Sequence, residues 1–249
     1  MARKFRNSGG RGALGAAAVC AGVFVVHAAP AITSIAPVRR RLLPRLHGLG
    51  RPDHVALTFD DGPDAESTPA FLEALDGLGW RATFFMLGTM VRRYPGLAAE
   101  VAAAGHELAV HGDEHLSELW RAPWSVRADL ARARDTVGEV SGAEPVWFRP
   151  PYGVLCSGGV AASRALSLRP VLWSAWGRDW RAAATPRSVA ADVEADLVPG
   201  ATVLLHDSDC TSAPGSWRSA LGALPLLAEQ FAARGYRTGT LAEHGLTER

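Results

Sequence analysis

From residue 54 onward, short apolar segments alternate with amphipathic segments of helical periodicity, and this alternation restricts the fold more than any other feature. One helix shows its buried stripe clearly, because apolar residues recur at intervals of four and three at Val126, Leu130, Ala133, Val137 and Val140. Strands that alternate with helices form a parallel sheet covered by helices. We therefore predict an α/β fold with strands over residues 54–59, 82–87, 106–110, 146–148, 170–174, 201–205 and 236–239.

Unusual polar residues follow these predicted strands. Chemistry in parallel α/β folds gathers at the carboxyl ends of the strands, whether the sheet is an open, doubly wound one or a closed barrel. Because five strands deliver polar groups to one end, and strand ends converge on one axis in a barrel, the pattern favours a barrel. These residues are Asp60 and Asp61 after strand one, His111 after strand three, Arg149 after strand four, Asp179 shortly after strand five, and His206 and Asp207 after strand six.

The adjacent carboxylates of Asp60 and Asp61 repel each other and need compensation. The segment "HGDEH" places His111 and His115 four residues apart, on one face if the segment is a helical turn. With Asp61 they make a two-histidine, one-carboxylate set that leaves positions open for water, as catalytic zinc sites do. Asp60 would then act as a base on that water. The alternatives are a plain polar turn over "DDGPD" and the iron site of a non-heme oxygenase.

The full constellation resembles the polysaccharide deacetylase family, whose members remove N-acetyl groups from chitin or peptidoglycan sugars. The resemblance covers roughly His54 to Leu241 and rests on "TFDDG", "HGDEH", "RPPYG", "GRDW" and "LLHD", which follow one another in the family's order. It implies a distorted seven-stranded (β/α) barrel and a single catalytic domain. It also implies a hydrolase that uses a divalent metal, with zinc expected, on a carbohydrate polymer.

The resemblance also implies a role for each motif residue. The expected roles are base for Asp60; metal ligand for Asp61, His111 and His115; orientation of the base for Arg149; oxyanion binding through the backbone N–H for Tyr152; and general acid for His206.

Two positions depart from the family pattern. Gly112 stands where the family usually has Ser or Thr, which removes a hydroxyl that would brace the metal-binding loop. Trp176 stands where the fourth motif usually begins with Asp, the acid expected to pair with the catalytic histidine. Asp179 or Asp207 would have to replace that acid. Trp176 therefore leaves open a second hypothesis, a carbohydrate-binding member of the same fold with impaired catalysis.

Tryptophans cluster near the motifs, and sugar faces stack on indole rings. Trp147 and Trp173 fall within predicted strands, so we expect them in the core. Trp180 and Trp217 are the expected walls of a carbohydrate-binding groove.

The N-terminal region differs from the rest in charge. Residues 1–52 contain nine basic residues and no acidic one, whereas the rest of the chain contains the other 17 basic residues and all 25 acidic residues. The acidic excess of the larger part argues against a nucleic-acid partner. Basic residues also precede an uncharged stretch that is apolar from Ala13 to Val26, which is typical of a signal or membrane-anchor segment.

We therefore divide the chain into a signal or membrane-anchor segment with a basic linker over residues 1–50 and a catalytic domain over residues 51–249. This division predicts a secreted or membrane-anchored protein whose catalytic domain lies outside the cytoplasm, with membrane association through the N-terminal segment. The alternative is an alanine-rich peripheral arm on a cytoplasmic protein. The sequence makes no prediction about oligomeric state.

Two cysteines lie on loops that follow catalytic motifs. Cys156 follows "RPPYG" and Cys210 follows His206 by four residues, so both are expected at the catalytic end of the sheet. An exported protein meets oxidising conditions, which predicts a disulfide between them if their Cα atoms approach closely enough. Two free thiols on separate loops are the alternative.

Overall fold

The computed structural model describes residues 21–246, and within this range eight strands form one parallel sheet. The strands are β1 (His54–Asp60), β2 (Thr83–Met86), β3 (Glu107–Val110), β4 (Trp147–Phe148), β5 (Arg169–Pro170), β6 (Ala175–Trp176), β7 (Thr202–His206) and β8 (Arg237–Gly239). The helices are α1 (residues 21–28), α2 (Ala36–Leu42), α3 (Thr68–Gly77), α4 (Gly88–Arg93), α5 (Pro95–Ala103), α6 (Pro123–Ser141), α7 (Ser157–Ala165), α8 (Pro186–Asp196) and α9 (Trp217–Ala233). Short 3₁₀ turns lie at Ala29–Ser34, Glu118–Trp120, Pro151–Gly153 and Ala242–His244.

The sheet is curled into a half-barrel, which confirms the predicted α/β fold class. Its strand order is β5-β4-β3-β2-β1-β7-β6, and β8 pairs with the first residues of β1. The predicted fifth strand, residues 170–174, is corrected: β5 and β6 flank an irregular segment. This segment connects the two ends of the sheet, because the Val171 N–H donates to Phe148 of β4 and the Ser174 N–H donates to Thr202 of β7.

Strand β1 explains how the fold positions a polar residue inside the sheet. All seven of its residues are buried, as expected for a central parallel strand covered on both faces. Alternate side chains of a strand point to opposite faces. Val55, Leu57 and Phe59 join the core beneath α3, α8 and α9, so Thr58 and Asp60 point to the concave interior. Each buried Phe or Leu of that core contributes about 2 kcal/mol of transfer free energy.

The N-terminal segment packs against this sheet before the expected domain boundary at residue 51. Arg39 of α2 is buried, and its guanidinium donates to the Thr33 and Trp173 carbonyls and to His47 Nδ1. The Gly50 N–H donates to the Gly200 carbonyl. Arg39 and Gly50 therefore connect the N-terminal segment to the rest of the fold.

The expected anchor segment lies mostly outside the described residues, which begin at Ala21. Within residues 21–246, no single helix is long and apolar enough to cross a membrane. Two consecutive helical stretches, Ala21–Ser34 and Ala36–Leu42, are long and apolar enough only when taken together, and a bend of 87° lies between them.

Candidate metal centre and active-site cleft

A left-handed turn in the backbone sets the positions of the two adjacent carboxylates at the end of β1. Asp61 has φ 81°, and its Oδ1 lies 3.4 Å from His111 Nε2, an atom that Asp60 Oδ2 approaches to 3.7 Å. The Asp61 N–H donates to the Phe85 carbonyl of β2, which fixes this turn. Asp61 Oδ2 accepts a short hydrogen bond from the Thr211 hydroxyl. Thr211 has no part in the sequence motifs and was missed by sequence reasoning.

His111 and His115 converge on Asp61 from the loop after β3. His111 Nε2 lies 3.4 Å and His115 Nε2 lies 3.7 Å from Asp61 Oδ1. His111 Nδ1 lies 2.9 Å from the Arg149 carbonyl, so the Nδ1–H donates there and leaves Nε2 free to act as a ligand. Burial lowers the pKa of His111 to about 3, which keeps the imidazole neutral, as metal binding requires. The segment is a loop and not the helical turn expected from the spacing.

Asp61, His111 and His115 fit a divalent cation. Their ligand atoms lie within 4.8 Å of one another. Asp61 Oδ1 and His115 Nδ1 are buried and have no hydrogen-bond partner among residues 21–246. A buried acceptor without a partner costs about 1–3 kcal/mol, and a cation at this point would remove that cost for Asp61 Oδ1. Two imidazoles and one carboxylate are a donor set typical of zinc.

A carboxylate on α6 braces the loop of the candidate metal ligands His111 and His115, where Gly112 lacks a side chain. Asp129 Oδ2 accepts the Asp113 N–H at 2.9 Å, and Asp129 Oδ1 lies 2.9 Å from Arg121 Nη1. Gly112 has φ 103°, which favours glycine over Ser or Thr. Asp129 therefore provides the support that the missing hydroxyl was expected to give. Its signal in the sequence is an acid directly beside the apolar stripe of α6.

Arg149 holds Asp60 inside the curled sheet. The guanidinium is fully buried, and its Nη1 lies 2.6 Å from Asp60 Oδ1 and 2.9 Å from the Thr58 hydroxyl. Burial raises the pKa of Asp60 and lowers the pKa of Arg149, and the attraction between the two groups opposes both shifts. Asp60 Oδ2 also lies 3.7 Å from His111 Nε2. Asp60 therefore lies next to the candidate metal ligands but has a separate partner, Arg149.

Asp179 is the acid that pairs with His206. Its Oδ1 lies 2.9 Å from His206 Nδ1, and its Oδ2 accepts the His206 backbone N–H at 2.7 Å. Burial lowers the pKa of His206, but the charges of Asp179, Asp61 and Asp60 outweigh burial and raise it to about 10. Asp207, the other candidate, accepts from the Thr68 hydroxyl, and burial raises its pKa to about 7.

One cleft of about 320 Å³ joins these groups. Asp60, His111, His115 and His206 line it together with an aromatic wall, defined here as Trp173, Trp176 and Trp180. Adjacent rings of the wall are 5.4 and 6.4 Å apart between centroids. Tyr152 is exposed and lies against His115, with ring centroids 4.4 Å apart. The remaining lining residues are Gly153, Leu204, Thr211 and Ser212.

Three sequence expectations about side chains need correction. Trp217 is buried in the core at the start of α9 and does not line the cleft, whereas Trp173 lines the cleft instead of the core. Trp147 is buried in the core, as predicted. Cys156 and Cys210 are both free thiols, so the expected disulfide is not formed. Cys156 instead caps α7 by accepting the Gly159 N–H, and Cys210 Sγ lies 3.6 Å from the Asp61 carbonyl.

The cleft of the curled α/β sheet holds a two-histidine, one-aspartate cluster beside a buried Asp–Arg pair. This arrangement is typical of the active site of a hydrolase. Residues 48–171 match the family model described as polysaccharide deacetylase. The chain is 34% identical over 192 residues to a peptidoglycan-N-acetylglucosamine deacetylase of Bacillus cereus, covering 76% of this chain and 86% of the relative. It is 37% identical over 166 residues to a chitooligosaccharide deacetylase of a Bradyrhizobium species, covering 66% and 74% respectively. The chain belongs to the polysaccharide deacetylase family.

Solved structures agree with this assignment. A peptidoglycan N-acetylglucosamine deacetylase in complex with 4-naphthalen-1-yl-N-oxidanyl-benzamide superposes with a TM-score of 0.74 at 27% identity, over 80% of this chain and 92% of that one. A mutant of a pseudoenzyme from carbohydrate esterase family 4 (CE4), with restored enzymatic activity, gives 0.71 at 26% identity, over 79% and 68%. The chain spans 33% of the length of a peptidoglycan-N-acetylglucosamine deacetylase of Listeria monocytogenes and 90% of the length of a chitooligosaccharide deacetylase of Azorhizobium caulinodans.

Proposed function

We propose that this protein is a metal-dependent hydrolase that removes N-acetyl groups from an amino-sugar polymer of the peptidoglycan or chitin type. One observation carries the proposal: Asp60, His206 and two members of the candidate metal cluster, His111 and His115, line a single cleft. Buried Arg149 holds Asp60 from behind, and buried Asp179 holds His206. The deacetylases among its relatives support a carbohydrate esterase of this kind.

Asp61, His111 and His115 would hold the cation. When bound there, a divalent cation would polarise the acetyl carbonyl and make a water molecule more acidic. Asp60 has no place in that ligand set, and Arg149 fixes its orientation, so Asp60 is the group that takes a proton from the attacking water. The backbone N–H of Tyr152 is the proposed donor to the oxyanion, worth about 3 kcal/mol in comparable sites.

His206 is the proposed general acid for the departing amine. Its Nδ1 is occupied by Asp179, so Nε2 is the nitrogen available to the cleft. The carboxylates around it favour the protonated imidazolium, which is the form that can donate a proton. The aromatic wall beside it offers flat apolar surfaces to the sugar rings of a polymer.

A carbohydrate-binding member with impaired catalysis is the second candidate, because Trp176 replaces an expected acid and one solved neighbour is a mutant of a CE4 pseudoenzyme. The contact between Asp179 and His206 favours catalysis over this candidate. A non-heme iron oxygenase is disfavoured because Asp60, held by Arg149, supplies a base that oxygen chemistry does not need.

Acetate release decides between these functions. We expect the zinc-loaded protein to release acetate from N-acetylated chito-oligosaccharides or from N-acetylated peptidoglycan fragments, and to lose this activity on chelation. Asp60→Asn should retain about one metal ion per chain and lose most turnover, because the ligand Asp61 is untouched. Asp64→Asn changes an acid of the same segment outside the cleft and should remain active.

Two outcomes would contradict this proposal. Carbohydrate binding without acetate release by the metal-loaded protein would favour the impaired member. Loss of metal in Asp60→Asn would mean that the roles of Asp60 and Asp61 are reversed.

We also propose that the catalytic domain lies outside the cytoplasm, where cell-wall or chitin-type polymers are found. The basic and apolar character of residues 1–26 supports this location. A fusion of alkaline phosphatase to the C-terminus should be active in cells, and an inactive fusion at normal expression would contradict the proposed location.

A further inference from the structure

Two of the most exposed apolar side chains in the described range lie on the segment that follows the candidate metal ligands. Trp120 ends a 3₁₀ turn five residues after His115, and Trp124 lies in the first turn of α6. They are 75% and 77% exposed, respectively. Phe24 of α1 stacks on Trp120 with ring centroids 5.6 Å apart. An exposed indole ring is unfavourable in water, because its burial would remove about 150–250 Å² of surface from contact with solvent.

The helix α1 is fixed against the same segment. The His27 imidazole contacts the Glu118 carbonyl at 3.4 Å and the Ser157 hydroxyl at 3.3 Å. Val23 and Val26, which are more than 60% exposed, line a groove with Trp120. We define the tryptophan patch as Val23, Phe24, Val26, Trp120 and Trp124. It therefore combines the catalytic body with the first described helix.

The segment after α1 has the composition of a chain that lies on an anionic lipid surface. Residues 21–52 contain no acidic residue. The side chains of Ile32, Ile35, Leu42 and Leu43 are exposed together with Arg40, Arg41 and Arg45. Exposed apolar side chains of this kind insert into the headgroup region of a bilayer. The neighbouring arginines attract acidic lipids, and each basic residue near the surface contributes about 1 kcal/mol of binding free energy.

We propose that the catalytic domain itself docks on a lipid bilayer through the tryptophan patch, with Trp120 and Trp124 as interfacial anchors. The apolar stretch Ala13–Val26 of the sequence leads directly into this patch and would bring it to the membrane. Tryptophan is the residue that concentrates at the boundary between headgroups and acyl chains. A second copy of this chain is the weaker occupant, because pairing two patches would bring two segments of purely positive charge together.

Docking has a consequence for the candidate site. The same short segment carries His115 at one end and Trp120 at the other, and Arg121, next to Trp120, contacts the Asp129 carboxylate that braces the metal-binding loop. The bilayer would therefore hold the cleft at a fixed distance from its surface instead of leaving the domain on a free tether. The proposal does not depend on which reaction the site performs.

Quenching by brominated lipid tests this contact. We would reconstitute the full chain into vesicles of three parts phosphatidylcholine to one part phosphatidylglycerol, with or without bromine on carbons 6 and 7 of the phosphatidylcholine acyl chain. The chain has eight tryptophans, and bromine quenches only those that reach the acyl chains. We expect clear quenching in the wild type and loss of at least half of it in Trp120→Phe/Trp124→Phe, because phenylalanine keeps the patch apolar but removes the reporters.

Trp80→Phe is the matched control, since Trp80 packs on Phe231 of α9 and should contribute nothing to the quenching. Circular dichroism melts of both variants check that they fold. No quenching in the wild type, or equal fractional quenching in the wild type and the double variant, would overturn the proposal. So would a concentration-dependent cross-linked dimer that Trp120→Ala abolishes, because the patch would then bind a second copy.

Discussion

Replacement of Asp179 by asparagine tests how far the negative charge of Asp179 stabilises the protonated form of His206. Asp179 accepts two hydrogen bonds from His206, one from the ring and one from the backbone, and its charge is the largest influence that raises the pKa of this histidine to about 10. Asparagine keeps the shape but removes the charge. A fall of this pKa from about 10 to the ordinary 6.5 corresponds to roughly 5 kcal/mol of lost imidazolium stabilisation.

The sign of the effect follows from the protonation state that the reaction needs. In the wild type the imidazolium persists through neutral pH and is lost only as pH rises through the elevated pKa. In Asp179→Asn the proton would be lost near pH 6.5, so about 1% of the acid form remains at pH 8.5. We therefore expect kcat/KM to fall about 100-fold relative to the wild type at pH 8.5, and to recover to within about 10-fold at pH 5.5.

The assay is the pH profile of acetate release for both proteins, loaded with the same metal. The ratio of the two profiles removes the contribution of Asp60, which is common to both. Asp207→Asn is the matched control, because this neighbouring buried acid accepts its hydrogen bond from the Thr68 hydroxyl, whereas the His206 ring bonds to Asp179. A constant ratio across pH would refute the reasoning and would leave Asp179 with a purely structural role.

Three further predictions test other parts of the molecule. Asp129→Ala should weaken metal affinity about 10-fold, with rescue by Asp129→Asn, which retains an acceptor for the Asp113 N–H; equilibrium dialysis measures this. Burial lowers the pKa of His244 to about 4, below the 6.5 of the unfolded chain, so this residue should contribute about 3 kcal/mol to the fall in the free energy of unfolding between pH 6.5 and 4, and urea titrations of His244→Gln should show a fall that is smaller by this amount. Trp217→Ala should lower the free energy of unfolding by about 3–5 kcal/mol, whereas Trp180→Ala should mainly raise KM for oligomers; equal effects of the two variants on stability would contradict their assignment to core and cleft.

The sequence was most informative where a physical pattern repeats. The alternation of apolar strands and amphipathic helices predicted the fold class, and six of the seven predicted strands are present. Buried strands such as β2 and β7 were recognisable because a buried parallel strand needs a continuous apolar run. The motif residues Asp60 and His206 line one cleft, and Arg149 reaches Asp60 from the buried side, because parallel strands deliver their carboxyl ends to the same place. Local spacing was less reliable, since His111 and His115 converge from a loop and not from a helical turn.

Contacts between residues far apart in the chain could not be predicted from the sequence. Nothing in the pattern relates Asp129 on α6 to the loop after β3, or Thr211 to Asp61. The tryptophans show the same limit. Trp173 lies in an apolar run that resembles a buried strand, yet its ring faces the cleft, while Trp217 follows a polar loop and is buried.

The predicted fifth strand shows why an apolar run need not become a regular strand. Between β5 and β6, the carbonyl of Leu172 accepts from Arg149 Nη2, and the carbonyl of Trp173 accepts from Arg39 Nη2. Both arginines are buried, and a buried guanidinium needs acceptors for its five N–H donors. The backbone that would have formed a strand ladder instead satisfies these two cations. Because one of them also holds Asp60, the irregular segment contributes to the position of the proposed base.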